Sequence, residues 1–397
     1  MEREFELYAP CHFGLEAVLK RELTDLGIEI TSVTDGRVNF KGSAAVVAKA
    51  NIFLRTTERV MITVGTFKAT TFEELFQGIK ALPWENYIPK DGRFWVKKAT
   101  SIKSALFSTS DIQSIVKKAM VERLKEKYRV SWFEESGNEY PIRVSLLKDE
   151  VTVALDTSGE SLHKRGYRKM TVKAPISETL AAALISLTPW KADRILIDPF
   201  CGSGTIPIEA AMMGLHIAPG MTRHFTAENW DNLVPAKYFK EAKSEAYSLI
   251  DTDTKLEIQG YDLDPDAVEA ARANAELAGV DDQIHFQARD VKNLSSHNKY
   301  GFIITNPPYG ERLEEKKDMP ALYTLIGESF GKLDTWSSYI ITSFEDAEKY
   351  IGRKAAKNRK IYNGMIKTYF YSFPGPKPPR RTNRVENAAD SGSTLSE

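Results

Sequence analysis

The chain has 397 residues, 54 of them basic and 54 acidic, with 42% hydrophobic and 27% charged content. That length exceeds one typical domain, so two or three are expected, in a globular protein with ample material for a core. Zero net charge removes bulk basicity as an argument for a nucleic-acid partner; no apolar run reaches the ~20 residues of a membrane span.

Phe5-Glu6-Leu7-Tyr8-Ala9 opens the chain as a strand. A helix from Leu15 to Leu26 follows, with Leu15, Val18, Leu19, Leu23 and Leu26 at helical spacing and Gly27 placed to end it. Arg37–Phe40 reads as another strand, so residues 1–65 are expected to form a small α+β unit. A second unit runs to about residue 160. It contains a strand at Phe94–Val96, a polar loop from Lys97 to Ser104, and a helix opened by the capping-box pattern Ser110-x-x-Gln113. Ile112, Ile115, Val116 and Ala119 give that helix its apolar face. Strands Ile142–Leu147 and Val151–Leu155 flank a hairpin turn at Lys148-Asp149-Glu150.

His163-Lys164-Arg165-Gly166-Tyr167-Arg168-Lys169 is a concentrated basic segment, a linker or a loop. Beyond it helices (177–187, 206–213, 267–278) alternate with strands (194–197, 256–261, 284–287, 302–305). That order predicts an α/β, doubly wound, largely parallel sheet. Residues 374–397 are rich in Pro, Ser, Asn and charge and are expected to be disordered.

Ile195–Asp198 leads through Pro199-Phe200-Cys201 into Gly202-Ser203-Gly204, an apolar strand entering a glycine-rich turn and then a helix. Glycine lets such a turn approach a ligand closely, although many glycine-rich turns are only tight turns. Asp262 ends the next strand, where a carboxylate can accept hydrogen bonds from two ribose hydroxyls; Asp290 follows the one after, within reach of an adenine amino group. Either acid alone also fits a helix N-cap, and Asp264 before Pro265 fits that role better. The turn lacks the GxGxxG run, and Asp262 lies well beyond the ribose acid expected about 20 residues downstream of a dinucleotide site. No Walker lysine follows Gly204. S-adenosyl-L-methionine therefore fits better than NAD or ATP. Cys11 and Cys201 make neither a disulfide framework nor a zinc pair, and six scattered histidines have no ligand spacing, so no metal is expected.

Asn306-Pro307-Pro308-Tyr309-Gly310 follows the apolar strand Phe302–Thr305. As a bland turn the run is unremarkable in composition. At the fourth strand end of a cofactor domain it suits methylation of an exocyclic amine, a poor nucleophile whose lone pair is delocalised into its ring. The Asn306 side-chain carbonyl and the Pro307 backbone carbonyl can each accept one amino hydrogen and so orient that lone pair. Two prolines restrict the backbone presenting the carbonyl, and Tyr309 can stack on the base.

These motifs resemble the class I methyltransferases that modify amino groups, whose fourth motif is shared by DNA amino, RNA guanine-N2 and protein glutamine enzymes. A longer stretch resembles one subset. Leu155 to Arg168, Ala174 to Leu180 and Asp198 to Glu209 are similar to the THUMP-containing RNA guanine-N2 methyltransferases, which act on large-subunit ribosomal RNA or on tRNA. The resemblance covers most of the chain. It implies a ferredoxin-like region over 1–65, a THUMP domain over 66–160 and a Rossmann-like class I methyltransferase domain over 161–373. It departs in architecture, since the larger bacterial rRNA enzymes carry a second methyltransferase domain. It implies that Pro175, Glu178, Asp198, Pro199, Cys201, Gly202, Gly204, Asp262, Asp290 and Asn306 line the cofactor; Pro175 and Glu178 fit a helix start and its first-turn acid equally well. Cys201 reads as a small residue with no reactive role. It also implies RNA as the partner, with Lys97, Lys98, Lys103, Lys117, Lys118, Lys164, Arg165 and Arg168 available to phosphates, or else a solvated face. A cytoplasmic location is expected, because Met1-Glu2-Arg3-Glu4-Phe5 is acidic where a signal peptide is basic. A non-catalytic RNA-binding role is the remaining alternative, and the intact cofactor motifs argue against it.

Overall fold

Strand β1 (Phe5–Pro10) buries Phe5, Leu7 and Ala9, and it lies between two partners in the first of two sheets. The computed structural model describes residues 3–170, 175–310, 317–364 and 366–379. After β1 come α1 (Glu16–Asp25), the hairpin β2 (Ile30–Thr34) and β3 (Arg37–Gly42), α2 (Ala44–Phe53) and β4 (Met61–Lys68). The chain continues through α3 (Phe72–Ala81), β5 (Arg93–Ile102), α4 (Thr109–Tyr128), β6 (Glu139–Leu147) and β7 (Glu150–Asp156). These seven strands form one sheet in the order β2-β3-β1-β4-β7-β6-β5. Only β5 with β6 is parallel. Met61 and Ile62 of β4 pair with β1, and the whole strand pairs with β7. The division expected at residue 65 thus falls inside the strand that joins the two units.

Two local expectations are corrected. The polar stretch after Val96 is no loop: β5 continues to Ile102, because a strand whose sheet has one solvated face needs apolar residues on the other face only. Helix α4 starts at Thr109 behind Ser108, with Ser110 inside its first turn; Gln113 closes no capping box and donates to the Val96 carbonyl at 3.1 Å. The hairpin at 148–150 is present as a two-residue turn, with Lys148 and Asp149 both at positive φ (52° and 65°).

The second sheet takes up α5 (Glu178–Ser186), β8 (Leu196–Asp198), α6 (Thr205–Gly214), α7 (Ala236–Ser248), β9 (Ile258–Asp262), α8 (Pro265–Ala278), β10 (Ile284–Ala288) and β11 (Phe302–Thr305). Then follow α9 (Met319–Gly331), β12 (Ser337–Thr342), α10 (Ala347–Ile351), β13 (Lys357–Asn363) and β14 (Ile366–Phe373). The strand order is β10-β9-β8-β11-β12-β14-β13. The first five are parallel, and β14 enters antiparallel between β12 and β13. This is the doubly wound α/β sheet the sequence implied. Chain order reverses between β8 and β11, which leaves a crevice outside their carboxyl ends.

Residues 218–246 leave this sheet and complete the first core, where Phe225, Trp230, Leu233, Phe239 and Ala246 are buried beside residues of the N-terminal strands and helices. Trp230 stacks on Tyr140 at 5.1 Å and donates from Nε1 to the Glu139 carbonyl at 2.7 Å. Gly220 N donates to the Ile52 carbonyl at 2.9 Å, and a Cβ on Gly220 would stand 2.6 Å from the Asn51 carbonyl oxygen. The start of the expected disordered tail is also held: Arg353 donates to the Pro374 carbonyl at 2.7 Å, and Gly375 N to Ser337 Oγ at 3.0 Å. Residues 380–397 of that tail lie outside the described residues. Among the described residues no helix is long and apolar enough to cross a membrane, and no three metal-ligating side chains gather.

Candidate functional site

Strand β8 delivers Asp198 and the buried Pro199 to the crevice, where the chain turns through Gly202 (φ +52°) and Gly204 (φ +84°) into α6. A side chain at Gly204 would be strained by that φ, and its Cβ would stand 3.0 Å from Ala271 on α8. Backbone bonds fix the turn to β9: Cys201 N donates to the Tyr261 carbonyl at 2.8 Å, and Gly202 N to Asp262 Oδ2 at 2.9 Å. Asp262 Oδ1 accepts from Asp264 N at 3.0 Å, and Asp264 caps α8. A carboxylate has about four lone-pair sites, so the half-buried Asp262 retains capacity for two hydroxyl donors.

Asp198 is buried, and its Oδ1 accepts from Thr305 Oγ1 at 2.6 Å and from Phe200 N at 3.1 Å. Burial lifts its carboxyl to about 7, with the charge of Asp262 adding to the rise. The neighbouring Cys201 thiol is pushed well above its ordinary value, by burial first and then by both aspartates, so it is no nucleophile. Asp198 ties the glycine turn to β11, because Thr305 immediately precedes Asn306.

At the end of β11, Pro307 is buried and Asn306 and Tyr309 are half-buried. The Pro308 carbonyl accepts from the Tyr323 hydroxyl of α9 at 3.4 Å, and Gly310 (φ +68°) turns the chain away. The Tyr309 hydroxyl donates to Asn306 Oδ1, the oxygen the sequence assigned to a substrate amine. Asp290 caps the short turn at Val291–Asn293, accepting from Lys292 N at 2.9 Å, with the Lys292 ammonium 3.0 Å away. Glu178 opens α5 as a buried acid whose pKa burial raises, while Arg168 at 2.7 Å works against that rise. Pro175 is exposed just before it, and Ala174 lies outside the described residues.

Sequence reasoning missed Asn274. It interrupts the alanine face of α8 and is fully buried, accepting from Lys169 N and Met170 N and donating to the Met170 and Ser203 carbonyls. The signal was a single amide among Ala267, Val268, Ala270, Ala271 and Ala275.

The expected cations divide. Arg165 is corrected: its guanidinium is buried against Glu209 at 3.3 Å and donates to the Leu162 and Arg55 carbonyls. Arg168 is likewise turned inward to Glu178 and the Ile176 carbonyl, each at 2.7 Å. Lys97 donates to the Gly159 carbonyl at 2.8 Å, and Lys117 binds Glu135 at 2.8 Å while lying over the Phe94 ring. Lys164 pairs with Glu160 on the surface, and Lys118 lies over the Phe76 ring. Lys98 and Lys103 are exposed.

Three family models match along the chain: an RlmL ferredoxin-like domain over 6–61, a THUMP domain over 69–156, and the RMKL-like methyltransferase domain over 165–371. The last covers more than half of the residues. The chain belongs to the RMKL-like methyltransferase family. Within it, this chain is 46% identical to the Bacillus subtilis (strain 168) protein bearing the name "Putative RNA methyltransferase YpsC", over 97% of this chain and 100% of that one. It is 32% identical to the ribosomal RNA large subunit methyltransferase K/L of Syntrophotalea carbinolica, over 94% of this chain. It spans 54% of that relative's length, about half. The crystal structure of SMU.472 complexed with SAH superposes with a TM-score of 0.90 at 44% identity, over 96% of this chain and 100% of that one. The cofactor of this RMKL-like methyltransferase is S-adenosylmethionine. The donor set fits it: two acids, no cation between Asp198 and Ile206, and a glycine turn that backs onto Asp262 suit a cationic ligand bearing a ribose.

Proposed function

We propose that this chain transfers a methyl group from S-adenosylmethionine to the exocyclic N2 amino group of a guanosine in RNA, with 23S ribosomal RNA as its substrate. The observation that carries this reading is the Asn306–Tyr309 turn on β11, adjacent in the sheet to the glycine turn on β8, in a chain that also holds a THUMP domain. The K/L relatives named for the large ribosomal subunit support the choice of RNA. S-adenosylmethionine, when bound, would supply the electrophilic methyl group and leave as S-adenosylhomocysteine, the methylated nitrogen would release one proton to solvent, and the positioning falls on the chain. Asn306 Oδ1 and the Pro307 carbonyl accept the two amino hydrogens and aim the nitrogen lone pair. The amine displaces the Tyr309 hydroxyl from Asn306, and the freed ring stacks on the splayed-out base. Asp198, through Thr305, holds the strand end that presents both carbonyls. Pro175, Glu178, Pro199, Cys201, Gly202, Gly204, Asp262 and Asp290 line the cofactor.

The test combines RNA from a strain lacking the gene with the purified chain and labelled cofactor, followed by mass-spectrometric mapping. N2-methylguanosine restored to 23S rRNA is the expected product. Asn306→Ala is expected to lower turnover by about 100-fold at saturating cofactor, as loss of a positioned polar group does. A different methylated base, or full turnover by that variant, would overturn the assignment.

A further inference from the structure

Helix α8 meets the glycine turn through two side chains. Ala271 stands against Gly204, and Asn274, one helical turn on, donates from Nδ2 to the Ser203 carbonyl at 3.1 Å. Asparagine is less favoured than alanine inside a helix, and a fully buried amide costs stability unless its polar atoms find partners. Here every one does. Nδ2 also donates to the Met170 carbonyl at 3.0 Å, while Oδ1 accepts from Lys169 N at 3.3 Å and from Met170 N at 3.2 Å. Two donors and two acceptor sites are the whole capacity of the group, and backbone occupies them all.

The two backbone segments so joined are separated in sequence by residues 171–202. Lys169 and Met170 end the described part of the linker, and their side chains are exposed, so packing does not hold the chain there. Lys169 N shares its hydrogen with the Tyr167 carbonyl at 3.0 Å, but Asn274 grips Met170 at both its N–H and its carbonyl. Just upstream, the Tyr167 hydroxyl donates to Glu209 of α6 at 3.0 Å, and Arg168 pairs with Glu178 of α5 at 2.7 Å. Successive linker residues are thus fastened to α6, α5 and α8, and the last fastening runs through Asn274 to the turn. The peptide joining Ser203 to Gly204 is fixed on both sides: its carbonyl by Asn274, its N–H by the Cys201 carbonyl at 2.8 Å. The Ser203 hydroxyl is buried with no partner among the described residues, so it adds no competing restraint.

An amide that served packing alone could satisfy itself on its own helix. These four bonds of Asn274 all leave α8, for the linker and the turn. We infer that Asn274 is a positioning residue for S-adenosylmethionine: it holds the glycine turn in the shape that receives the cofactor and makes that shape depend on the linker from the N-terminal unit. This role rests on the proposed lining of the cofactor by Gly202 and Gly204. Asn274 stands apart from the reaction centre, because the Asn306 turn is held through Asp198 and Thr305 by a bond of its own. Loss of the amide therefore acts on cofactor binding and leaves the transfer step alone, which appears in KM and not in kcat.

The test is calorimetric binding of S-adenosylhomocysteine to the full chain, which needs no RNA, beside steady-state methylation of total RNA. Asn274→Ala is expected to weaken S-adenosylhomocysteine about tenfold and to raise KM for S-adenosylmethionine equally, with kcat within about twofold of wild type. Asn274→Asp keeps the shape but sets a carboxylate oxygen against the Ser203 and Met170 carbonyls. It should bind as poorly at about pH 8 and regain about threefold, relative to wild type, at about pH 5.5, where a proton on that carboxyl restores a donor. Val280→Ala, in the core beyond the end of α8, should lower the melting temperature and leave binding unchanged. Unaltered binding by Asn274→Ala, while Gly204→Ala weakens it, overturns the role of Asn274 alone. Equal weakening by Val280→Ala assigns the effect to general stability and also overturns it. If Asn274→Ala does not fold, the Asn274→Asp series decides, and no recovery at low pH overturns the role. Undiminished binding by Gly204→Ala means that the turn does not hold the cofactor, and the underlying reading fails.

Discussion

Residues 163–169 and the tip of the first sheet, where β4, β5 and β6 end, both carry several cations, and they use them in opposite ways. In the first, Arg165 and Arg168 point inward to Glu209 and Glu178, and they also bind the carbonyls of Leu162, Arg55 and Ile176. There the basic run is a strut that locks the N-terminal unit, the linker and the helix after the glycine turn to one another. At the tip, Lys68, Lys103 and Lys148 have no such partners among the described residues. The difference is set by carboxylates brought from elsewhere in the chain: Glu209 lies 44 residues from Arg165, beyond any local pattern. Cation density along a sequence therefore marks where charge is needed and leaves open whether its partner is internal.

The comparison can be broken most forcefully at Arg165. Arg165→Ala strands Glu209 without its charge partner in a buried site, and a loss of about 3–5 kcal/mol is expected in urea unfolding. A loss below about 1 kcal/mol would place Arg165 with ordinary surface cations. The next effect concerns a buried anion with no cation beside it. The carboxyl of Asp198 rises from 3.8 to about 7 on folding, so the protonated form is the one the fold favours. Its contribution is full at low pH, declines as pH rises from about 4 to about 7, and is flat above. Asp198→Asn should remove that decline in the melting temperature of the cofactor-free protein; an unchanged pH profile would refute the burial argument. The smallest effect sharpens the contrast from within the basic run. Lys164→Ala breaks only an exposed pair with Glu160, and less than about 1 kcal/mol is expected in the same unfolding assay.

The reaction domain was largely legible because its strands are short apolar runs that end in chemically distinctive residues. Asp198, Asp262 and Asn306 stand at strand ends that the sheet brings to one crevice, and their spacing in sequence already suggested it. The N-terminal sheet was less legible. Strand β4 carries Gly65 and alternates with threonines, so it offers no long apolar run, and β5 turns Lys97 and Lys98 outward after Phe94–Val96, so only its first part read as a strand. The amide of Asn274 was invisible for another reason, since its partners at Ser203 and Met170 come to it only in the assembled fold; the Tyr309 bond to Asn306 is local, within one turn, and depends on side-chain directions that a motif does not specify. Residues 214–255 were left unread: Phe239, Ala242 and Ala246 stand at helical spacing on α7, but the segment belongs to the first core, where Trp230 answers to Tyr140, 90 residues earlier in the chain.

That last segment has a consequence for biogenesis. During synthesis the first sheet is complete in covalent terms at Asp156, yet Trp230 and Phe239, which belong to its core, emerge only 74 and 83 residues later. The nascent N-terminal half therefore leaves the ribosome with an apolar face still open, and closing it requires a contact of long sequence separation, which is slow. A chain interrupted between those points exposes that face to chaperones and to other copies of itself. Premature termination there should be tolerated less well than termination after residue 246.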